Sequence, residues 1–142
     1  MDNKKLIFDF IKKHTLAVLS TVNQEGKPGA SVIEFSETDN LEIIFDTFEH
    51  FRKYENLRTN PNVALAIGWD DNITVQFYGK AVELQGNELS EYQKIHVAKL
   101  PDSAKFIKMK GIKYFKIVPE RIKYSDLNFH PWRIYELSFS NS

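Results

Sequence analysis

From Thr15 onward the chain is a succession of short β-rich stretches cut by turn residues, and nothing else in it limits the possible folds as much. Residues 17–22, 28–36 and 41–46 are rich in β-branched and apolar side chains, and the polar segments 23–27 and 37–40 separate them. Three consecutive strands joined by short polar turns predict an antiparallel meander. Residues 63–69 and 73–84 flank Asp70, Asp71 and Asn72 as a further hairpin, and residues 114–118 and 121–124 read as the last strands. Open sheets expose edges that invite association, and closure removes them. The expectation is a mainly β fold with helices, a six- to seven-stranded antiparallel barrel with short flanking helices.

The helices are fewer. Leu6, Ile7, Phe10 and Ile11 recur at helical spacing after Asp2 and Asn3, and Lys12, Lys13 and His14 gather where a helix dipole favours cations. Residues 51–60 predict a short helix, apolar at Phe51, Tyr54 and Leu57 and stopped by Asn60 and Pro61. Residues 88–100 are helical by the spacing of Leu89, Tyr92, Ile95 and His96. A second helix is expected from Asp102 as N-cap to Gly111 as C-terminal cap. An aromatic tail follows, with Phe129, Trp132 and Tyr135.

A chain of 142 residues suits a single domain, 1–142. Its 19 basic and 19 acidic residues balance, so no global field draws nucleic acid or an anionic membrane, and any anion has to be captured locally. Cysteine is absent, which removes disulfides, thiolate metal sites and thiol nucleophiles. The first fourteen residues alternate charged and apolar side chains, unlike a signal peptide, and no apolar run approaches the length of a membrane span. A soluble, cytoplasmic protein is expected.

The most informative local feature is the stretch Phe45, Asp46, Thr47, Phe48, Glu49, His50, Phe51, Arg52, Lys53. A strand ends there, and two cations occupy the first turn of the following helix, where they oppose the dipole at a cost of a few tenths of a kcal/mol each. An anion reverses that sign. Free backbone N–H groups, a guanidinium and an ammonium together suit a phosphate, with Thr47 able to add a hydroxyl. The alternative is a solvated face on which Arg52 and Lys53 pair with Glu49 or Glu55.

Residues 45–69, FDTFEHFRKYENLRTNPNVALAIGW, resemble the flavin-phosphate segment of the pyridoxamine 5′-phosphate oxidase-like split-barrel family. The shared pattern is an aromatic strand ending in Thr, then Arg-Lys, a short helix, Asn-Pro and an apolar strand ending near Trp. Residues 16–35 are similar to the family's opening hairpin, Tyr78 to Ala81 to its glycine-marked strand, and residues 115–124 to its closing strand. The resemblance covers most of the chain except residues 85–110. It implies a split β-barrel in which Arg52 and Lys53 bind the phosphate of FMN, with Thr47 and the backbone around Asp46 beside them. The strand from Ser31 through Val32 to Ser36 would run along the isoalloxazine edge. Thr74 or Gln76 would reach the flavin from the neighbouring strand or the partner subunit. It also implies a homodimer with flavin sites at the subunit interface and a small-molecule substrate or electron donor.

Oxidases of the vitamin pathway carry Arg and Lys at the two ends of the strand that here reads Ser31 to Ser36, and their closing Arg-Leu-His-Asp-Arg motif is absent. Phe51 stands where Ser usually precedes the Arg-Lys pair. The implied function is therefore an FMN-dependent oxidoreductase other than a strict pyridoxamine phosphate oxidase. The alternatives are a non-catalytic dimeric flavin-binding or storage module, or a split-barrel relative using haem or F420. No catalytic acid or base is evident, and flavin chemistry does not require one. His14, His50, His96 and His130 lack metal-site spacing, so no metal is expected. No Ser, His and Asp constellation follows from spacing. Asp70 and Asp71 read as turn residues, Glu34 as an outward carboxylate, and the aromatic tail as interface packing or a cap over the flavin.

Overall fold

The computed structural model describes residues 2–140. Helix α1 (Asn3–Lys12) is followed by strands β1 (Leu16–Val22), β2 (Pro28–Glu34), β3 (Ser36–Glu37) and β4 (Ile43–Phe48). Helix α2 (Arg52–Thr59) leads into β5 (Asn62–Ile67) and β6 (Ile73–Glu83). Helix α3 (Gly86–Lys99), a 3-10 turn (Pro101–Phe106), β7 (Ile112–Asp126) and β8 (Arg133–Ser138) complete the chain. Asp2 caps α1 by accepting from the Lys4 amide at 2.9 Å, as its position before the apolar periodicity requires.

All strand pairings are antiparallel, in the order β2-β1-β5-β6-β7-β4-β3 with β8 alongside β7. The two ends of that order, β2 and β3, are halves of one strand bent at Phe35, so the sheet curls back on itself. Counted in this way, seven antiparallel strands form the split barrel. Alternation places Ala17, Leu19, Ile33, Phe45, Leu65 and Phe77 inside. Phe45 stacks on Phe115 at a centroid distance of 5.5 Å. α1 buries Ile7, Phe10 and Ile11 at the end of the barrel near Gly68, and α2 buries Leu57 at the end near Glu83.

The expected three-strand meander is present in bent form: β1 pairs β2, and beyond the bend at Phe35 the same strand pairs β4 through β3. Three local expectations need correction. No second α-helix spans 102–111; Pro101 starts a six-residue 3-10 turn with Asp102 inside it, because an amide-less residue is tolerated only at a helix start. The two closing strands are one, β7, which runs through Pro119 at an irregularity where Tyr78 faces Arg121 and Gly79 faces Pro119. A bulge tolerates proline's missing donor, and at Gly79 a Cβ would stand 2.3 Å from the Val118 carbonyl oxygen, so only glycine fits. The aromatic tail is likewise a strand: Tyr135 lies in β8 and stacks on Tyr124, while Phe129 and Trp132 lie in the connection before it.

Candidate functional site

β4 runs out at Phe48, and residues 49–51 turn the chain into α2, whose first two residues are Arg52 and Lys53. Phe51 occupies the N-cap position, and among the described residues no side chain caps the first amides of α2. Between this helix start and the β1–β2 hairpin lies a groove of about 440 Å³, lined by Thr21, Ser31, Phe51, Arg52, Lys53 and Asn56 among others. Asn56 Nδ2 donates to Thr21 Oγ1 at 3.1 Å and ties the helix to the hairpin floor. Among the described residues neither cation forms an ion pair within 4 Å, and Glu49 reaches Lys113 instead at 3.9 Å. Burial pushes the Lys53 ammonium pKa down, and the Asp46 charge partly restores it. A half-desolvated cation beside uncapped amides and an exposed guanidinium is a surface that favours an anion.

Thr47 points with Phe45 and Ile43 to the inner face of β4. Its hydroxyl is buried and has no hydrogen-bond partner among the described residues, although Thr47 is only 3% exposed and does not line the groove. Asp46 points the other way. There its carboxylate lies 3.5 Å from Nε2 of His96 on α3, while Ser36 Oγ lies 2.7 Å from Nδ1 of the same ring. Tyr114, opposite Asp46 in the sheet, stands edge-on to His96 at 6.0 Å with its hydroxyl also unpartnered. Burial, with the Asp46 charge beside it, pushes the Tyr114 pKa up to about 12.

The fold thus aligns a Ser, a His and an Asp that spacing did not bring together. Their order along the chain gives no signal, because His96 is 60 residues from Ser36 and the contact exists only once α3 docks. Ser36 is 0% exposed, so no substrate reaches its hydroxyl. The three side chains form a polar link, buried at Ser36 and His96 and half-buried at Asp46.

The remaining residues expected at a flavin are divided between the groove and other places. Ser31 lines the groove. Val32 is 60% exposed on the outer face, opposite Val18, and Gln76 lines a shallow hollow on that face with Val18, Ser20, Ala64, Ala66 and Tyr78. Thr74 Oγ1 donates to the Ile67 carbonyl at 3.4 Å. A single copy therefore gathers Ser31, Arg52 and Lys53 in the groove and leaves Val32 and Gln76 on the outside of the sheet. His50 is exposed and packs against Phe48 and Phe51. Among the described residues no cluster of three or more metal-ligating side chains forms, and no helix is long and apolar enough to cross a membrane.

Residues 4–126 match a family model described as pyridoxamine 5′-phosphate oxidase. General stress protein 26 of Bacillus subtilis is 33% identical over 94 residues, which are 63% of this chain and 66% of that protein. A heme binding protein from Mycobacterium smegmatis superposes with a TM-score of 0.85 at 15% identity, covering 97% of this chain and 58% of that one. General stress protein 26 from Bacillus anthracis superposes at 0.76 with 21% identity, covering 98% and 100%. The chain thus spans somewhat less than two thirds of the length of the first two of these relatives.

Proposed function

The chain belongs to the pyridoxamine 5′-phosphate oxidase family, and from that membership we propose that it is an FMN-dependent oxidoreductase holding the cofactor's phosphate at Arg52 and Lys53. The observation that carries this reading is the pair of cations at an uncapped helix start, without a carboxylate partner among the described residues and facing a groove. Each charge-assisted hydrogen bond to a phosphate contributes about 1.5–3 kcal/mol, enough to outweigh the dipole penalty of placing cations there. The buried, partnerless Thr47 hydroxyl fits as an additional donor if the helix start settles onto a ligand. When bound, FMN supplies hydride or electron transfer through its own ring, and the protein supplies orientation and exclusion of water.

A homodimer belongs to the same proposal. The outer face around Val18, Val32, Ala64 and Ala66 is apolar and small-featured, and a second copy seated on it would bring a partner's Thr74 and Gln76 toward a site that one copy leaves open. Arg and Lys are absent from the strand positions Ser31 and Ser36, which argues against pyridoxamine phosphate as substrate.

The test is titration with FMN and with riboflavin, which lacks the phosphate. Arg52→Ala and Lys53→Ala should each weaken FMN binding by about 10- to 100-fold while leaving riboflavin nearly unaffected. Unchanged FMN affinity in the double variant would falsify the phosphate assignment. A second reading, haem in place of flavin, is favoured by the Mycobacterium smegmatis heme binding protein that shares the fold. The absorption spectrum of the purified protein separates the two. Bound flavin that neither NADH nor NADPH reduces, and that no acceptor reoxidises, would make the protein a flavin carrier.

A further inference from the structure

We propose that Asn56 is a specificity-determining residue of the groove: its side-chain amide, oriented by Thr21, binds a hydroxyl of the carbon chain that carries the phosphate. In FMN that chain is the ribityl group, so the inference rests on the FMN-phosphate reading above. The starting observation is the opening of α2. Arg52, Lys53 and Asn56 share one face of the helix, since residues three and four apart are neighbours, and all three line the groove. Asn56 lies about 6 Å farther along the axis than Arg52, so a group bound there sits about one turn from the anion.

β1 turns Ala17, Leu19 and Thr21 inward, and Thr21 is the polar member of that row at 4% exposure. A valine of nearly the same shape would pack there without burying a hydroxyl. The hydroxyl is held by Asn56 Nδ2, which donates to Thr21 Oγ1 at 3.1 Å, and this bond fixes which end of the amide is anchored. It uses one of the two N–H donors, and among the described residues Asn56 Oδ1 has no hydrogen-bond partner. An amide oxygen accepts from a hydroxyl and repels a phosphate oxygen. A polyol therefore fits beside Asn56, while the anion stays at Arg52 and Lys53. Other polar groups of the groove serve the hairpin itself: Asn23 Oδ1 accepts from the amides of Glu25 and Lys27, both at 2.9 Å, and Lys27 pairs with Glu25 at 3.7 Å. Gly29, opposite Thr21, adds no side chain, and a Cβ there would meet nothing within 4 Å, so the space next to the pair is open.

The readout is two ratios of dissociation constants: lumiflavin, which has the ring without the ribityl chain, over riboflavin, and riboflavin over FMN. The first measures recognition of the chain, the second recognition of the phosphate. Asn56→Leu should lower the first ratio by about three- to thirtyfold, the size of one or two hydrogen bonds, and leave the second within about twofold of native. Thr21→Val should also lower the first ratio and add nothing once Asn56→Leu is present, whereas Thr21→Ser, which keeps the hydroxyl, should behave as native. A pair that merely holds the helix start against the hairpin would, when broken, weaken all three flavins equally or lower the second ratio. Either result overturns the inference, and so does an unchanged first ratio. The double variant Thr21→Val with Asn56→Leu replaces the bonded pair by an apolar one, and it decides alone if the single variants do not fold. A native protein without preference for FMN over riboflavin defeats the phosphate reading instead, and the first ratio then judges Asn56 by itself.

Discussion

Thr47 and Gly79 illustrate two ways in which one side chain is dictated by its surroundings. Among the described residues the buried Thr47 hydroxyl has no partner, an arrangement that costs about 1–3 kcal/mol in a ligand-free protein. Thr47→Val, of nearly equal shape, should therefore leave the thermal stability of the ligand-free protein unchanged or raised. The same variant should bind FMN several-fold more weakly, and calorimetry of the two forms checks both halves. A loss of stability without any loss of affinity would mean that the hydroxyl serves the core and no ligand. At Gly79 the constraint is purely steric, because a Cβ would collide with the Val118 backbone at the bulge. Arg52 and Lys53 stand out as a candidate anion site from their position, since cations at a helix start are unfavourable without a counter-charge. His96 was not legible, because its partners are remote in sequence.

At the scale of elements, β7 and α3 organise the molecule. β7 pairs along its length with β6, and its other edge is divided between β4 at residues 112–117 and β8 at residues 121–126. The sequence shows Pro119 and suggests two strands, because the bulge that accommodates the proline is a property of the pairing with Gly79. α3 lies across β3, β4 and β7 through its polar stripe and covers Tyr114. The Tyr114 pKa is raised from an unfolded value near 10 to about 12. A raised phenol contributes stability that is fully present below pH 10 and lost as the pH climbs toward 12. Denaturant unfolding should accordingly show stability falling from about pH 10 upward. Tyr114→Phe removes the unpartnered hydroxyl, so it should gain about 1 kcal/mol at neutral pH and lose less in the alkaline range. A loss at neutral pH would show that the hydroxyl has a partner in solution.

For the whole molecule, the exposed apolar face of β1, β2 and β5 is the feature a single copy leaves unexplained. A second copy on that face would cover Val32 and place Gln76 near a groove it does not line within one chain. Val32→Glu should convert a dimer to a monomer in analytical ultracentrifugation, because an unpaired charge at an interface core is poorly tolerated, and FMN affinity should fall with it. A native protein that sediments as a monomer yet binds FMN fully would end the dimer proposal. Residues 17–22, 28–36, 63–69 and 73–84 announce themselves as strands through β-branched, alternating patterns that depend only on local geometry and contact with water. The cation pair at the start of α2 is local in the same sense. Sequence alone therefore located most of the strands before the tail, and it offered the start of α2 as a candidate anion site. Tertiary structure alone decided which strands share an edge, that the tail becomes β8, and that Ser36, Asp46 and His96 meet. Those contacts join residues far apart in the chain, Ser36 and His96 by 60 positions and Ile43 and Ile117 of β4 and β7 by still more, and they arise only when the sheet curls and α3 settles on it, so no local pattern can encode them.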